Sequence, residues 1–364
     1  MQTEILRIIE GGLSNDHRKI ISYSMRLADR LNREGQEELA KCILQKIDST
    51  IPHSGAVSDA LRMIPLDADS RLQIVEVTPQ DKSRQKIILS PIVKKQVEEF
   101  IGMIHNQSAL ELAGVDVKKT MILYGKPGCG KTSIAHYISE ETDLPLVVAR
   151  LDGIVSSLLG STAKNIRKIF DYIKSMPCIL FLDEFDAIAK ARDDERELGE
   201  LKRVINSLLQ NIDSMPTNCV LIAATNHPEL LDKAVWRRFV QTVEIGPPEE
   251  DEVKDMIKIF TKPFTSDLST EAQRSNLVKA MDGLTPSDIK TVFDRAKVKS
   301  VLTGSRHIAL DQLLLGIFEL KSKVKTEKNL VCFLSDYGLS QTSINKTTEI
   351  SLRKIKQYLS THNK

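Results

Sequence analysis

The stretch GKPGCGKT, residues 125–132, sets three glycines ahead of a lysine and a threonine, between an apolar run that reads as a strand and a patterned run that reads as a helix. Gly125, Gly128 and Gly130 let backbone N–H groups converge on phosphate oxygens, and a helix starting near Lys131 turns its positive end to the same point. The spacing fits a phosphate-cradling loop in which Lys131 reaches the β and γ phosphates of ATP and the Thr132 hydroxyl binds Mg²⁺. Lys126, Pro127, Cys129 and Ser133 complete the expected cradle, with the Cys129 thiol open to thiol reagents.

Downstream, CILFLDE ends an apolar strand in two acids, which such a strand tolerates at its open carboxyl end. Asp183 is expected to hold Mg²⁺, and Glu184 to orient and deprotonate the attacking water, which means hydrolysis and not binding alone. CVLIAATN places Asn226 at the end of another buried strand, where an amide positions water beside the γ phosphate. LDKAVWRRF places Arg237 and Arg238 together after a helical turn. A guanidinium delivered by a neighbouring subunit stabilises transition-state charge, so activity would depend on assembly.

These residues need a scaffold that brings several strand ends together. From residue 87 onward the apolar runs TMILYG, LPLVVAR, CILFLDE, CVLIAATN and TVEIG alternate with amphipathic runs such as AKNIRKIFDYIKSM and ELGELKRVINSLLQNI. Short, almost wholly apolar strands between such helices predict an α/β domain with a parallel sheet covered on both faces, over 87–248. Ser90 and Pro91 predict the cap and first residue of its opening helix. The pattern then turns helical over 249–320, a smaller second domain, and 321–364 is a basic helical segment. Before the sheet, 1–60 reads as a helical bundle for recognising a partner, with Leu27, Leu31 and Leu39 at helical spacing, and 61–86 as a linker with RLQIVEV as a short strand.

Composition excludes some classes. The chain of 364 residues carries 51 Lys and Arg against 49 Asp and Glu, so no whole-protein attraction to polyanions is expected. Residues 321–364 alone hold nine basic and three acidic side chains, a local +6. The five cysteines show no paired spacing, which speaks against a zinc site or a disulfide framework and for a reducing cytoplasm. No apolar run approaches the ~20 residues of a membrane span, and no export signal is read at the start.

Taken together, YGKPGCGKTS, LFLDEFDAI, AATNHPELLDKAVWRRF and DGLTPSDIKTVFDRA resemble, in order, the Walker A, Walker B, sensor and lid-helix motifs of the AAA family of P-loop ATPases, from about Ile87 to about Ser305. The resemblance implies a five-stranded parallel sheet, a helical lid, and a ring, usually a hexamer, with ATP sites between subunits. It implies that Arg238, and Arg237 beside it, serve the neighbour's nucleotide and that Asp213 is a signalling position between subunits. Val240 and Gln241 stand where many relatives carry a further arginine, which implies a single working finger, and LTPSDIK shows no arginine for the lid to supply. The resemblance also implies a pore loop in SSLLGST, where Leu158 takes an aromatic seat beside Leu159 and Gly160. In the competing reading both leucines pack under a helix capped by Ser161 or Thr162. A second pore-facing loop is expected at 190–200.

The C-terminal GLSQTSINKTTEISLRKIKQYL resembles a helix-turn-helix. Leu339, Ile344, Ile350, Ile355 and Leu359 fall where two short helices pack, Ser351 caps the second helix, and Arg353, Lys356 and Gln357 point outward toward nucleic acid. Asn345, Thr348 and Glu349 depart from the usual pattern, and a plain helical hairpin for assembly is the alternative. Three functions are thus open: an oligomeric ATPase that remodels or unfolds protein, an ATP-controlled switch on a separate effector such as a protease or toxin-like partner, and a DNA-directed ATPase. No protease motif accompanies the ATPase motifs.

Overall fold

The computed structural model describes residues 24, 27, 28, 30, 31, 39–41, 65, 73–78, 87–115, 117–151, 159–174, 176–187 and 198–362. The chain divides into two units, Met1–Met63 and Ile64–Lys364. In the first unit, described residues between 24 and 41 are helical, and Ala28, Leu31 and Ala40 are buried together with Leu27 against them. Leu39, expected at the same helical spacing, is instead exposed, at 54%.

The second unit is built on a six-stranded sheet in the order β1 (Glu76–Thr78), β3 (Leu146–Arg150), β4 (Ile179–Asp183), β5 (Val220–Thr225), β2 (Thr120–Tyr124), β6 (Gln241–Glu244). The five expected strands run parallel, and the sixth, β1, comes from RLQIVEV and pairs antiparallel with β3 at the edge, Val77 opposite Val147. An edge strand needs no crossover helix, so three residues following a linker suffice. β5 is buried at every position because it lies mid-sheet between β4 and β2, which explains its unbroken apolar run.

One face of the sheet, with Met121, Leu123, Phe181 and Ile222, is packed by α1 (Pro91–His105) and, after α2 (Gln107–Leu112), by α3 (Lys131–Thr142), through Val97, Phe100, Ile134 and Ile138. Ser90 caps α1, its side chain accepting from Val93 N–H at 3.3 Å, and Pro91 follows as the sequence predicts. Ile122, Leu180, Leu182 and Leu221 point to the opposite side by strand alternation and are equally buried. Further along, α4 (Leu159–Ile173) and α5 (Leu198–Asp213) pack against each other. α6 (Lys233–Trp236) is a single turn capped by Asp232, which leads the chain back to β6.

The lid consists of α7 (Glu250–Thr261), α8 (Glu271–Met281), α9 (Pro286–Leu302) and α10 (Leu310–Lys321), with a two-stranded β7–β8 pairing between Thr265–Ser266 and His307–Ile308. Beyond it lie α11 (Glu327–Asp336), α12 (Gln341–Thr348) and α13 (Leu352–His362). The basic C-terminal segment shares the lid's core: Val331, Leu334, Ile344 and Ile355 belong to the same buried cluster as Phe293, Leu313 and Ile317. Among the described residues no helix is long and apolar enough to cross a membrane.

Candidate active site

The strand order explains how residues distant in sequence converge. β5 lies between β4 and β2, so the turns after all three open side by side, and they carry Glu184, Asn226 and the glycine loop. Gly125 has φ 144°, and any Cβ there would collide with the carbonyl oxygen of Ile245. Only glycine fits this approach of the loop to the chain after β6.

Lys131 is nearly buried, 7% exposed, and its three ammonium protons are all taken. Nζ donates to Gly125 O at 2.8 Å, Lys126 O at 3.0 Å and Asn226 Oδ1 at 2.7 Å. Burial pulls its pKa below the ordinary lysine value, opposed by Cys129, Asp183 and Asp186 nearby. Thr132 and Ser133 are exposed at the start of α3, as are Lys126 and Pro127 in the loop. Cys129 differs from expectation. It is 5% exposed and packed in the core with Ile134, and burial pushes its thiol upward against the pull of Lys131 and Lys126. A buried thiol above its ordinary pKa is a poor target for reagents, because the thiolate is the reactive species.

Asp183 closes the other side. Its Oδ2 lies 3.5 Å from the Thr132 hydroxyl, and its Oδ1 accepts the Glu184 N–H at 2.9 Å. Glu184 sits at φ 53°, a left-handed conformation uncommon for a residue with Cβ, right where the chain leaves β4. Phe185 N–H then bonds to Ala224 O at 2.8 Å, and the Phe185 ring meets Phe239 edge-on at 6.0 Å. These contacts turn the chain sharply and hold Glu184 at the mouth of the site.

One acid went unassigned in the sequence reading. Asp186 is 2% exposed, and its Oδ1 accepts from the Thr225 hydroxyl at 2.9 Å and from Asn226 N–H at 3.2 Å. It therefore anchors the turn that carries Asn226, which in turn holds Lys131. The signal lay in LDEFDAI, where an acid flanked by Phe and Ala in an apolar stretch needs buried partners.

The arginines lie elsewhere. The Arg238 carbonyl accepts from the Thr120 hydroxyl at 2.7 Å, at the start of β2, whereas the glycine loop follows its end, about 16 Å away at the rise of a strand. The Arg238 guanidinium donates from Nε and Nη2 to Asp213 Oδ2, at 3.2 and 3.0 Å. Lys118 Nζ donates to the Asp213 carbonyl at 2.7 Å. Arg237 is exposed. The protomer thus does not gather the two arginines with Lys131, Asp183 and Asn226.

The lid reaches the loop directly. Thr285 caps α9, its hydroxyl accepting from Asp288 N–H at 3.2 Å, and Ser287 N–H donates to Gly128 O at 3.2 Å. Of the expected pore loop, Leu158 lies outside the described residues, and so does most of 190–200. Leu159 and Gly160 differ from the sequence expectation: they form the first turn of α4 and not a loop, so Ser161 and Thr162 stand inside the helix and not at its cap. Arg353, Lys356 and Gln357 are exposed on α13, remote in the chain from these groups.

Chemically, the cluster offers a cation, a hydroxyl, a carboxylate pair and an amide around a concave loop of backbone N–H groups. Among the described residues no three His, Cys, Asp or Glu side chains gather to hold a metal by themselves. Thr132 and Asp183 supply two hard oxygen ligands, which suits Mg²⁺ shared with nucleotide phosphates.

Known proteins point the same way. Residues 121–247 match the family described as ATPase family associated with various cellular activities (AAA). The chain is 32% identical over 280 residues to the uncharacterized AAA family ATPase y4kL of Sinorhizobium fredii, covering 77% of this chain and 83% of that one. It is 28% identical to the ATP-dependent zinc metalloprotease FtsH 2 of Symbiobacterium thermophilum, over 61% of this chain but 39% of the relative. It is 30% identical to a proteasome-activating nucleotidase of Methanococcus maripaludis, over 69% of this chain and 67% of the relative.

Proposed function

The chain belongs to the AAA family of ATPases and hydrolyses ATP, and from that premise we propose that it works as a ring, with a hexamer as the expected size, that uses hydrolysis to remodel or unfold a protein partner. The observation that carries this reading is the separation within one protomer: the phosphate-binding groups open at the carboxyl ends of β2, β4 and β5, while Arg238 is anchored at the amino end of β2. A guanidinium so placed serves a phosphate outside its own subunit. The named roles of a metalloprotease and a proteasome activator among the relatives support a polypeptide substrate.

In this mechanism Lys131 exchanges its bond to Asn226 for phosphate oxygens and neutralises their charge. Thr132 and Asp183 would hold Mg²⁺ beside the phosphates, where it would screen the charge that builds up on them. Glu184 takes the proton of the attacking water, and the amide of Asn226, set by Asp186, fixes where that water stands. Arg238 of a neighbouring copy meets the charge developing on the γ phosphate. The first unit, Met1–Met63, presents the partner to the ring, Leu158 contacts polypeptide in the channel, and the protein works in the cytoplasm.

Two measurements test the proposal. Glu184→Gln should bind ATP but lose about 10²-fold or more in turnover, by the usual contribution of a general base; unchanged turnover removes Glu184 from the role. Unfolded protein should stimulate the wild-type ATPase, and Leu158→Ala should abolish that stimulation. A rate indifferent to unfolded protein would favour an ATP-controlled switch acting on a separate effector, a protease or toxin-like partner held by the N-terminal helices.

A further inference from the structure

The last three helices carry a charged face that the ATP site does not use. α12 and α13 meet in a tight turn in which Glu349 adopts a left-handed conformation, φ 60°, ψ 7°. That conformation costs an ordinary residue about 1 kcal/mol or more, and the surroundings hold it. Glu349 N–H bonds to Asn345 O at 2.9 Å, and Asn345 Nδ2 donates to Ile350 O at 2.8 Å. The departures at Asn345 and Glu349 are thereby absorbed, because the Asn345 amide ties the turn that a glycine would otherwise ease. Ile344 and Ile355 are fully buried, and the Thr347 hydroxyl donates to Asp311 Oδ2 on α10 at 2.6 Å. The hairpin is therefore rigidly mounted.

α13 sorts its side chains by angle. Lys354, Tyr358 and His362, four residues apart, turn to the acids of α11: Lys354 Nζ and Tyr358 Oη each donate to Glu327 Oε2 at 3.2 Å, and His362 Nε2 lies 3.2 Å from Asp336 Oδ2. The acids of α11 are thus engaged inward. Arg353, Lys356 and Gln357 face outward together with Lys346 of α12, and among the described residues none of these three cations forms an ion pair. The outer face shows one large apolar side chain, Leu352, at 41% exposure. A partner helix would need an apolar stripe, whereas unpaired cations on a polar helix suit a polyanion.

We propose that this face docks duplex nucleic acid, with α13 in the major groove, Lys346, Arg353 and Lys356 on phosphates and Gln357 toward base edges. The eleven residues of α13 span about 16 Å, and the helix fits a groove about 12 Å wide. Three phosphate contacts give a slope of log affinity on log salt of about −3 per hairpin.

The test is fluorescence polarisation of the full chain with a labelled duplex of about 30 base pairs, titrated with salt at several concentrations. The proposal expects binding with that slope, loss of about tenfold or more for Arg353→Glu with Lys356→Glu, and an unchanged thermal midpoint for the variant. The milder Lys346→Gln, on the other helix, should lower the slope by about one. Absence of binding at low salt, or binding that neither variant weakens, overturns the proposal. Displacement of the duplex by polyglutamate at equal charge concentration also overturns it, in favour of an acidic protein partner.

Discussion

At the scale of single residues, Asp186 is the most exposed to experiment. Its Oδ1 holds both the Thr225 hydroxyl and the Asn226 N–H, so Asp186→Ala leaves one buried and one half-buried donor without this acceptor. Such losses cost about 1–3 kcal/mol each, and the turn that sets Asn226 should loosen. Turnover is expected to fall about 10-fold or more with nucleotide affinity nearly intact, while Asp186→Asn, whose carbonyl still accepts, should keep most of the rate; equal damage by both variants would mean that the negative charge matters and not the acceptor. Lys131 gives a second expectation. Its lowered pKa means that the ammonium loses its proton below the ordinary value of 10.5, so the alkaline limb of kcat/KM should fall below that value, read as a pH profile. Iodoacetamide should label Cys129 far more slowly in the folded chain than after unfolding, because the thiol is 5% exposed. Lys131, Thr132 and Asp183 were legible because their spacing is set by phosphate chemistry. Asp186 and the burial of Cys129 were not, since both depend on which chain lies overhead.

At the scale of elements, the glycine loop and α9 meet in a close junction. Gly128 has φ 78°, and a Cβ there would stand 2.9 Å from the Thr285 hydroxyl. Gly128→Ala therefore adds a left-handed penalty of about 1–2 kcal/mol and presses on the cap of the lid helix. Weaker ATP binding is expected, seen by calorimetry, with the C-terminal core untouched. The strands of the sheet were legible from their apolar runs, and the cap at Ser90 from its residue pair. The edge strand β1 was read as a strand but not as part of the sheet, because three residues carry no sign of their partner. The start of α4 at Leu159 was missed too: the apolar and small residues Leu159, Gly160, Ser161 and Thr162 carry no helical periodicity of their own.

At the scale of the whole molecule, two consequences follow from how the chain divides its labour. The lid and the last three helices form one core, so Ile355→Ala, at 0% exposure, should lower the stability of both together by about 2–5 kcal/mol. One urea transition for the lid and the C-terminal helices would show this, and separate transitions would refute it. The second consequence is assembly. If Arg238 acts on a neighbour, mixing Arg238→Ala subunits with Lys131→Ala subunits should restore part of the activity that each lacks. Zero recovery across mixing ratios would place the finger in its own subunit. Sequence alone could not join lid to tail, since a boundary in composition at residue 321 gives no sign that Ile344 and Phe293 are buried in one cluster.

The bond from Ser287 N–H to Gly128 O has a thermodynamic consequence. α9 grips the loop that must receive phosphate, and its far side is packed into the core that carries α12 and α13. Occupancy at one end and nucleotide at the other are then linked functions of a single conformational free energy, and linkage is reciprocal. Whatever factor a ligand on α13 imposes on ATP affinity, ATP must impose on that ligand, and breaking the Gly128–Ser287 junction should bring both factors toward one together.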